Sequence, residues 1–226
     1  MTIPESAIKQ AKTVSTKPSR NNRLLSGHTN VSNKTLSYTE NLFGMDTTYG
    51  TMAHKVYRAN STYDPDYALG GGIAYGHQTM GDRFQKYYVK SAKLSILGST
   101  YNASSSVIQL YALVWADNTD SFTTTMPLNT AVGVCKANGG KVFRVHTTVP
   151  QGPGALGTVR VKTKDLYRNG IKDEKNVGGP TSNPENPLFF HVVVAQVTQG
   201  ADVTCTTNMT VELSYDELWF DPVDRL

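Results

Sequence analysis

The chain has 226 residues, 38% of them hydrophobic and 18% charged, and a formal net charge of +4. This composition excludes an intrinsically disordered polymer, and the length suits one large all-β domain or two small ones. No apolar run reaches the roughly 18 residues that a membrane crossing needs, and Met1–Gln10 lacks the apolar centre of a secretory leader, so neither a leader nor a membrane partner is expected.

In chain order, the first feature is electrostatic. Within residues 1–34, Lys9, Lys12, Lys17, Arg20, Arg23 and Lys34 stand against the single acid Glu5. Six cations against one acid make +5, so residues 35–226 carry a net −1. The segment is also rich in Ser, Thr and Asn. It reads as a flexible, mildly basic N-terminal arm (1–34) on a near-neutral body (35–226). Such arms meet anionic polymers, because each neutralised phosphate releases counterions.

The body reads as strands at 50–59, 86–98, 106–116, 131–136, 141–147, 157–164, 187–198 and 203–220. Val107–Ala116 is apolar on both alternating faces, as a central strand covered on two sides must be. Asn138-Gly139-Gly140 is a strong turn signal before 141–147. Val159, Val161 and Thr163 alternate with Arg160, Lys162 and Lys164, which puts three cations on one strand face. That face is either plainly solvated or turned to nucleic acid or a neighbouring subunit. Leu188–Val197 is again mostly apolar. From Val203 to Tyr215 the alternation is strict, apolar on one parity and polar on the other. No amphipathic helix longer than about ten residues is evident. Eight strands with long crossing loops predict an all-β fold. The expected form is an eight-stranded single jelly roll of two packed antiparallel sheets with Greek-key connections.

Chemistry-bearing motifs are weak. Gly70-Gly71-Gly72 lacks the following Gly-Lys-Ser/Thr and helix start of a phosphate loop. Asp64 and Asp66 invite calcium, but a third acidic ligand and a terminal Glu are missing. The five histidines are scattered singly, without zinc spacing. Cys135 and Cys205 read as buried thiols. No catalytic constellation and no cofactor is expected, so the protein is read as a non-enzyme.

Two longer patterns carry a resemblance. "YRANSTYDPD" (Tyr57–Asp66), the glycine cluster, and "GHQTMGDRFQKYYVKSAKLSI" follow one another. They are joined later by "KTKDLYRNGIKDEKN", "NPENPLFFHVVVAQV" and "VELSYDELWFDP". In order and spacing, residues 48–222 resemble the capsid proteins of small circular single-stranded DNA viruses that encode a replication initiator. The arm departs from the family pattern, since many members carry a dense Lys/Arg tract there.

The resemblance implies a capsid protein whose first jelly-roll strand ends at Val56–Ala59. It implies self-assembly into an icosahedral shell of sixty copies around single-stranded DNA. The expected location is the virion, with the host nucleus as a candidate site of assembly, and exposed loops would meet a host receptor. Nucleic-acid contacts are expected from Lys9, Lys12, Lys17, Arg20, Arg23, Lys34, Arg160, Lys162 and Lys164. The alternatives are the capsid protein of a small RNA or satellite virus, or a jelly-roll carbohydrate-binding module.

Overall fold

The computed structural model describes residues 31–67, 72–103, 110–145, 157–197 and 204–223. In chain order its strands are β1 (Ser32–Thr47), β2 (Met52–Arg58), β3 (Phe84–Ala103), β4 (Leu110–Asp117), β5 (Lys141–Val145), β6 (Gly157–Lys162), β7 (Phe189–Gln196) and β8 (Cys205–Pro222). They form two four-stranded sheets, β1-β8-β3-β6 and β2-β7-β4-β5, and every neighbouring pair is antiparallel. Except for β4 to β5, each consecutive strand lies in the opposite sheet. That is the doubled Greek key of a jelly roll.

The two sheets differ in how they meet solvent. The inner face of the first carries Leu36, Tyr87, Val89, Leu94, Ile96, Val211, Leu213 and Trp219 against Tyr57, Leu110, Phe190 and Val192 of the second. The far face of the second sheet is covered as well. Ala131, Cys135, Phe122 and Met126 pack over Leu113, Trp115 and Val193. There His191 stacks between Trp115 (ring centroids 4.8 Å) and His54 (5.1 Å). This two-sided cover is why β4 and β7 read as apolar on both parities, and every residue of β7 is buried. The far face of the first sheet is covered only at one end, where Val31, Ile171 and Val177 pack on Tyr88, Leu218 and Phe220, so β8 alternates strictly between buried and part-exposed residues over Cys205–Asp216.

Two expectations need correction. β1 replaces part of the expected arm: Ser32, Asn33 and Lys34 are already paired with Trp219, Leu218 and Glu217. Val56–Arg58 therefore closes the second strand, not the first. Glu40, set among the inward positions Leu36, Tyr38 and Leu42, hides the period-2 pattern. A bulge between Leu42 and Met45 then shifts its parity.

The second correction is that 131–136 is helical, part of α2 (Leu128–Ala137). The Asn-Gly-Gly signal is its C-terminal cap. Gly139, at φ +66°, donates to the Lys136 carbonyl (3.0 Å), and Gly140 donates to that of Cys135 (2.8 Å), the paired bonds of a Schellman motif. A Cβ on Gly140 would sit 2.5 Å from the Val114 carbonyl oxygen and 2.7 Å from that of Cys135. Gly140→Ala is expected to cost about 3 kcal/mol, at the upper end of overpacking. Gly139→Ala, which meets no neighbouring atom, should cost only its left-handed backbone, about 1 kcal/mol. Urea midpoints of the two variants check the order.

The Tyr57–Asp66 stretch is a structural knot. Asn60, buried at the exit of β2, donates to the Asn186 carbonyl (2.7 Å) and accepts from the Leu188 amide (3.0 Å). Ser61 bonds the Tyr87 hydroxyl at 2.9 Å. Asp66 meets Lys55 at 2.7 Å, and Asp64 meets the Arg58 guanidinium. Both aspartates thus face cations of β2, and among the described residues no group of three His, Cys, Asp or Glu is placed to hold a metal ion.

Deeper in the knot, the Thr62 hydroxyl lies 2.8 Å from His77 Nδ1 and bonds Glu217 Oε1. His77 belongs to the short helix α1 (His77–Gly81), and its Nε2 donates to the Pro180 carbonyl (2.9 Å). The Trp219 indole N–H donates to Glu217 Oε2 at 2.7 Å. Burial pushes the Glu217 carboxyl up to about 7.

Candidate nucleic-acid interface

The far face of the first sheet, covered only where Val31, Ile171 and Val177 pack on it, carries the cations. Arg160 and Lys162 project from β6 on the exposed parity, as the sequence pattern predicted, while Val159 and Val161 turn to the core. In register, Arg160 lies opposite Lys93 of β3, and Lys162 lies opposite Ser91. Like charges directly opposite each other destabilise a sheet pair, so the Lys93–Arg160 pairing is a local cost that a nearby anion would relieve.

A bulge between Val89 and Ser91 inserts Lys90 into β3. Its ammonium meets Asp216 of β8 at 3.0 Å and the side chain of Asn33 in β1, also at 3.0 Å. Asn33 stands near the start of the described chain, so the N-terminal segment enters the fold beside this lysine.

The strand β6 ends at Lys162, and Thr163 starts a short helix, α3 (Thr163–Leu166). The Thr163 hydroxyl donates to the Val89 carbonyl (2.6 Å) and pins the turn. Lys164 therefore leaves the strand face on which the alternation placed it. It is instead brought beside Lys162 at the rim of a cleft of about 490 Å3 between β3, β6 and the segment that follows. Lys90, Lys162, Lys164, Arg168 and Lys172 line that cleft with Tyr88, and Asp216 is the one carboxylate among its lining residues. The segment bearing Arg168 and Lys172 is fixed from behind. Buried Asn176 donates to the Gly170 carbonyl (2.7 Å) and accepts from Asn186 (2.8 Å).

Lys34 is exposed in β1 opposite Glu217, on the parity of the core, and does not join this group. Lys9, Lys12, Lys17, Arg20 and Arg23 lie outside the described residues. The sequence reading missed Lys90, Lys93, Arg168 and Lys172. A usable signal was present for two of them, since Arg160–Lys172 holds five cations and one acid, Asp165. No sequence signal announces that Lys90 and Lys93 face the same cleft or strand.

No family model matches the chain, and the search of curated proteins found no match. Among solved structures, the chain is similar to that of a mud crab tombus-like virus (TM-score 0.47, 9% identity, covering all of this chain and 93% of that one). It is also similar to turnip yellow mosaic virus (TM-score 0.44, 9% identity, 87% and 98% covered) and to a decameric BFDV capsid protein (TM-score 0.41, 10% identity, 84% and 99% covered). The chain is an all-β protein with the jelly-roll order of strands.

Proposed function

We propose that this chain is a viral capsid protein that self-assembles into a closed icosahedral shell, of sixty copies by resemblance, around single-stranded DNA. The observation that carries the reading is the asymmetry of the body. One sheet is covered on both faces, and the other, covered only at one end of its far face, turns the cations of that face toward the point where the basic N-terminal segment joins the fold. A shell built with that face inward puts arm and cleft on the same side as the genome. Closed symmetry lets every subunit reuse the same contacts, and phosphate contacts of this kind bind without reading sequence. The motifs from Tyr57 to Pro222 favour a DNA virus over an RNA virus. Lys9, Lys12, Lys17, Arg20 and Arg23 supply the arm's share of the charge. Arg160, Lys162 and Lys164 supply part of the body's.

The test is to express the chain alone and examine it by negative-stain electron microscopy, with the A260/A280 ratio of the assembled fraction. Uniform shells with a nucleic-acid-like ratio are the expected result, and sequencing the packaged material separates DNA from RNA. A monomer or small oligomer under every salt and pH condition would overturn the capsid reading in favour of a binding module.

A further inference from the structure

We propose that the cleft of Lys90, Lys162, Lys164, Arg168 and Lys172 is a discrete seat for two or three consecutive phosphates of one nucleic-acid strand, distinct from the diffuse attraction of the arm. Its partner rests on the capsid reading; its geometry does not. Lys162, Lys164, Arg168 and Lys172 have no ion-pair partner among the described residues. Lys90 is occupied by Asp216 and Asn33.

Four uncompensated cations are therefore held around one concavity on a body whose net charge, these four included, is only −1. Their backbone is anchored by buried bonds, from Thr163 to Val89 and from Asn176 to Gly170, so the repulsion cannot be relaxed by the segment drifting away. Such an arrangement is stabilised when an anion with several charges at short spacing enters it. The volume, about 490 Å3, is in the range of small-ligand clefts. That suits a flexible strand bent into it better than a rigid duplex lying across it. Tyr88 is buried at the floor and offers no ring face for stacking, so the seat engages phosphates and not bases. Strand choice there would be independent of sequence.

The test uses the full chain and a fluorescent oligothymidylate of about twelve nucleotides, titrated across a salt series. Lys162→Gln/Lys164→Gln is compared with Lys136→Gln/Lys141→Gln. The second pair removes the same charge from exposed lysines around the α2–β5 turn. The cleft variant is expected to bind roughly tenfold more weakly and to flatten the salt slope by about 1.4, two contacts at about 0.7 each. The control should leave both unchanged.

Equal shifts in the two variants would overturn the seat in favour of net charge. Displacement by tripolyphosphate at equal phosphate concentration would overturn a nucleic-acid seat in favour of a free-polyanion site. Lost shells with unchanged oligonucleotide affinity would make the cleft a subunit contact. Electron microscopy of the same samples keeps the two readings apart. Shells without cleft-dependent binding sink the seat alone, and cleft-dependent binding without shells sinks the capsid reading alone.

Discussion

Raising the pH from about 5 to about 8 is expected to remove up to about 3 kcal/mol of stability through Glu217, and Glu217→Gln is expected to keep it. The reason is a proton count. The His77 Nε2–H is spent on the Pro180 carbonyl, which leaves Nδ1 as an acceptor for the Thr62 hydroxyl. Thr62 has one proton, so its second contact, to Glu217 Oε1, is a hydrogen bond only when Glu217 is the donor. The alternative, a doubly protonated His77 beside an ionised Glu217, holds the same number of protons. Losing one leaves the Thr62 oxygen facing two acceptors with a single hydrogen.

The carboxyl's rise from about 4.5 to about 7, driven mainly by burial, agrees. Between those two values the folded chain binds a proton that the unfolded chain has released, so stability falls as pH rises and levels off above about 7. The groups facing Glu217 are Lys34 from β1, His77 from α1, Tyr87 from β3, and Asp216 and Tyr215 from β8 itself. Burial pushes the histidines the other way. His54 falls to about 4, and His77 and His191 are also lowered, so their contribution is lost as pH falls through the acid range. The parent chain should be most stable at about pH 6.5, between the two sets of groups. The amide introduced by Glu217→Gln offers an N–H to Thr62 and an oxygen to the Trp219 indole, as the protonated acid does. Urea midpoints at mildly acidic and mildly alkaline pH decide it: parallel curves for parent and variant would refute the proton count.

Asn60→Ala is expected to cost about 3 kcal/mol. The residue is 2% exposed, and both ends of its amide are used, one by the Asn186 carbonyl and one by the Leu188 amide. Truncation strands a buried donor and a buried acceptor at the point where β2 and the approach to β7 are tied together. Asn60→Asp is the sharper probe. It keeps the acceptor for Leu188 but sets a carboxylate against the Asn186 carbonyl, so it should be at least as destabilising near neutral pH and recover partly in acid. Thermal unfolding across pH measures both. A loss below about 1 kcal/mol for Asn60→Ala would mean that water replaces the amide.

What is legible in the sequence depends on whether one residue's pattern can speak for itself. β4, β7 and β8 are readable because burial on both faces, or on one, writes directly into the alternation. Arg160 and Lys162 are readable for the same reason. β1 is not, because Glu40 occupies an inward position where Lys55 compensates it at 3.4 Å, and a single residue cannot reveal a partner on another strand. The helix α2 reads as a strand because Val132 and Val134 favour extended chain and Gly133 disfavours helix. Its contacts with Leu113 and Trp115 override that preference. Lys164 reads as a strand residue because nothing local marks the end of β6. The hydroxyl bond from Thr163 to a carbonyl on β3 ends it. The cleft is invisible for the most general reason: Lys90 reaches it through a bulge, and its other cations lie more than seventy residues away.

The order of strands also carries a consequence for synthesis. β8 is an interior strand of the first sheet, with β1 on one side and β3 on the other, and β7 is an interior strand of the second. Ser32 finds its partner only at Trp219. Neither sheet can be completed while the ribosome still holds β7 and β8, and folding must wait for the long-range contact of β1 with β8. The lysine at the base of the cationic cleft is held by Asp216, from that last strand. A chain stopped before β7 therefore lacks one inner strand of each sheet together with the clamp on the cleft.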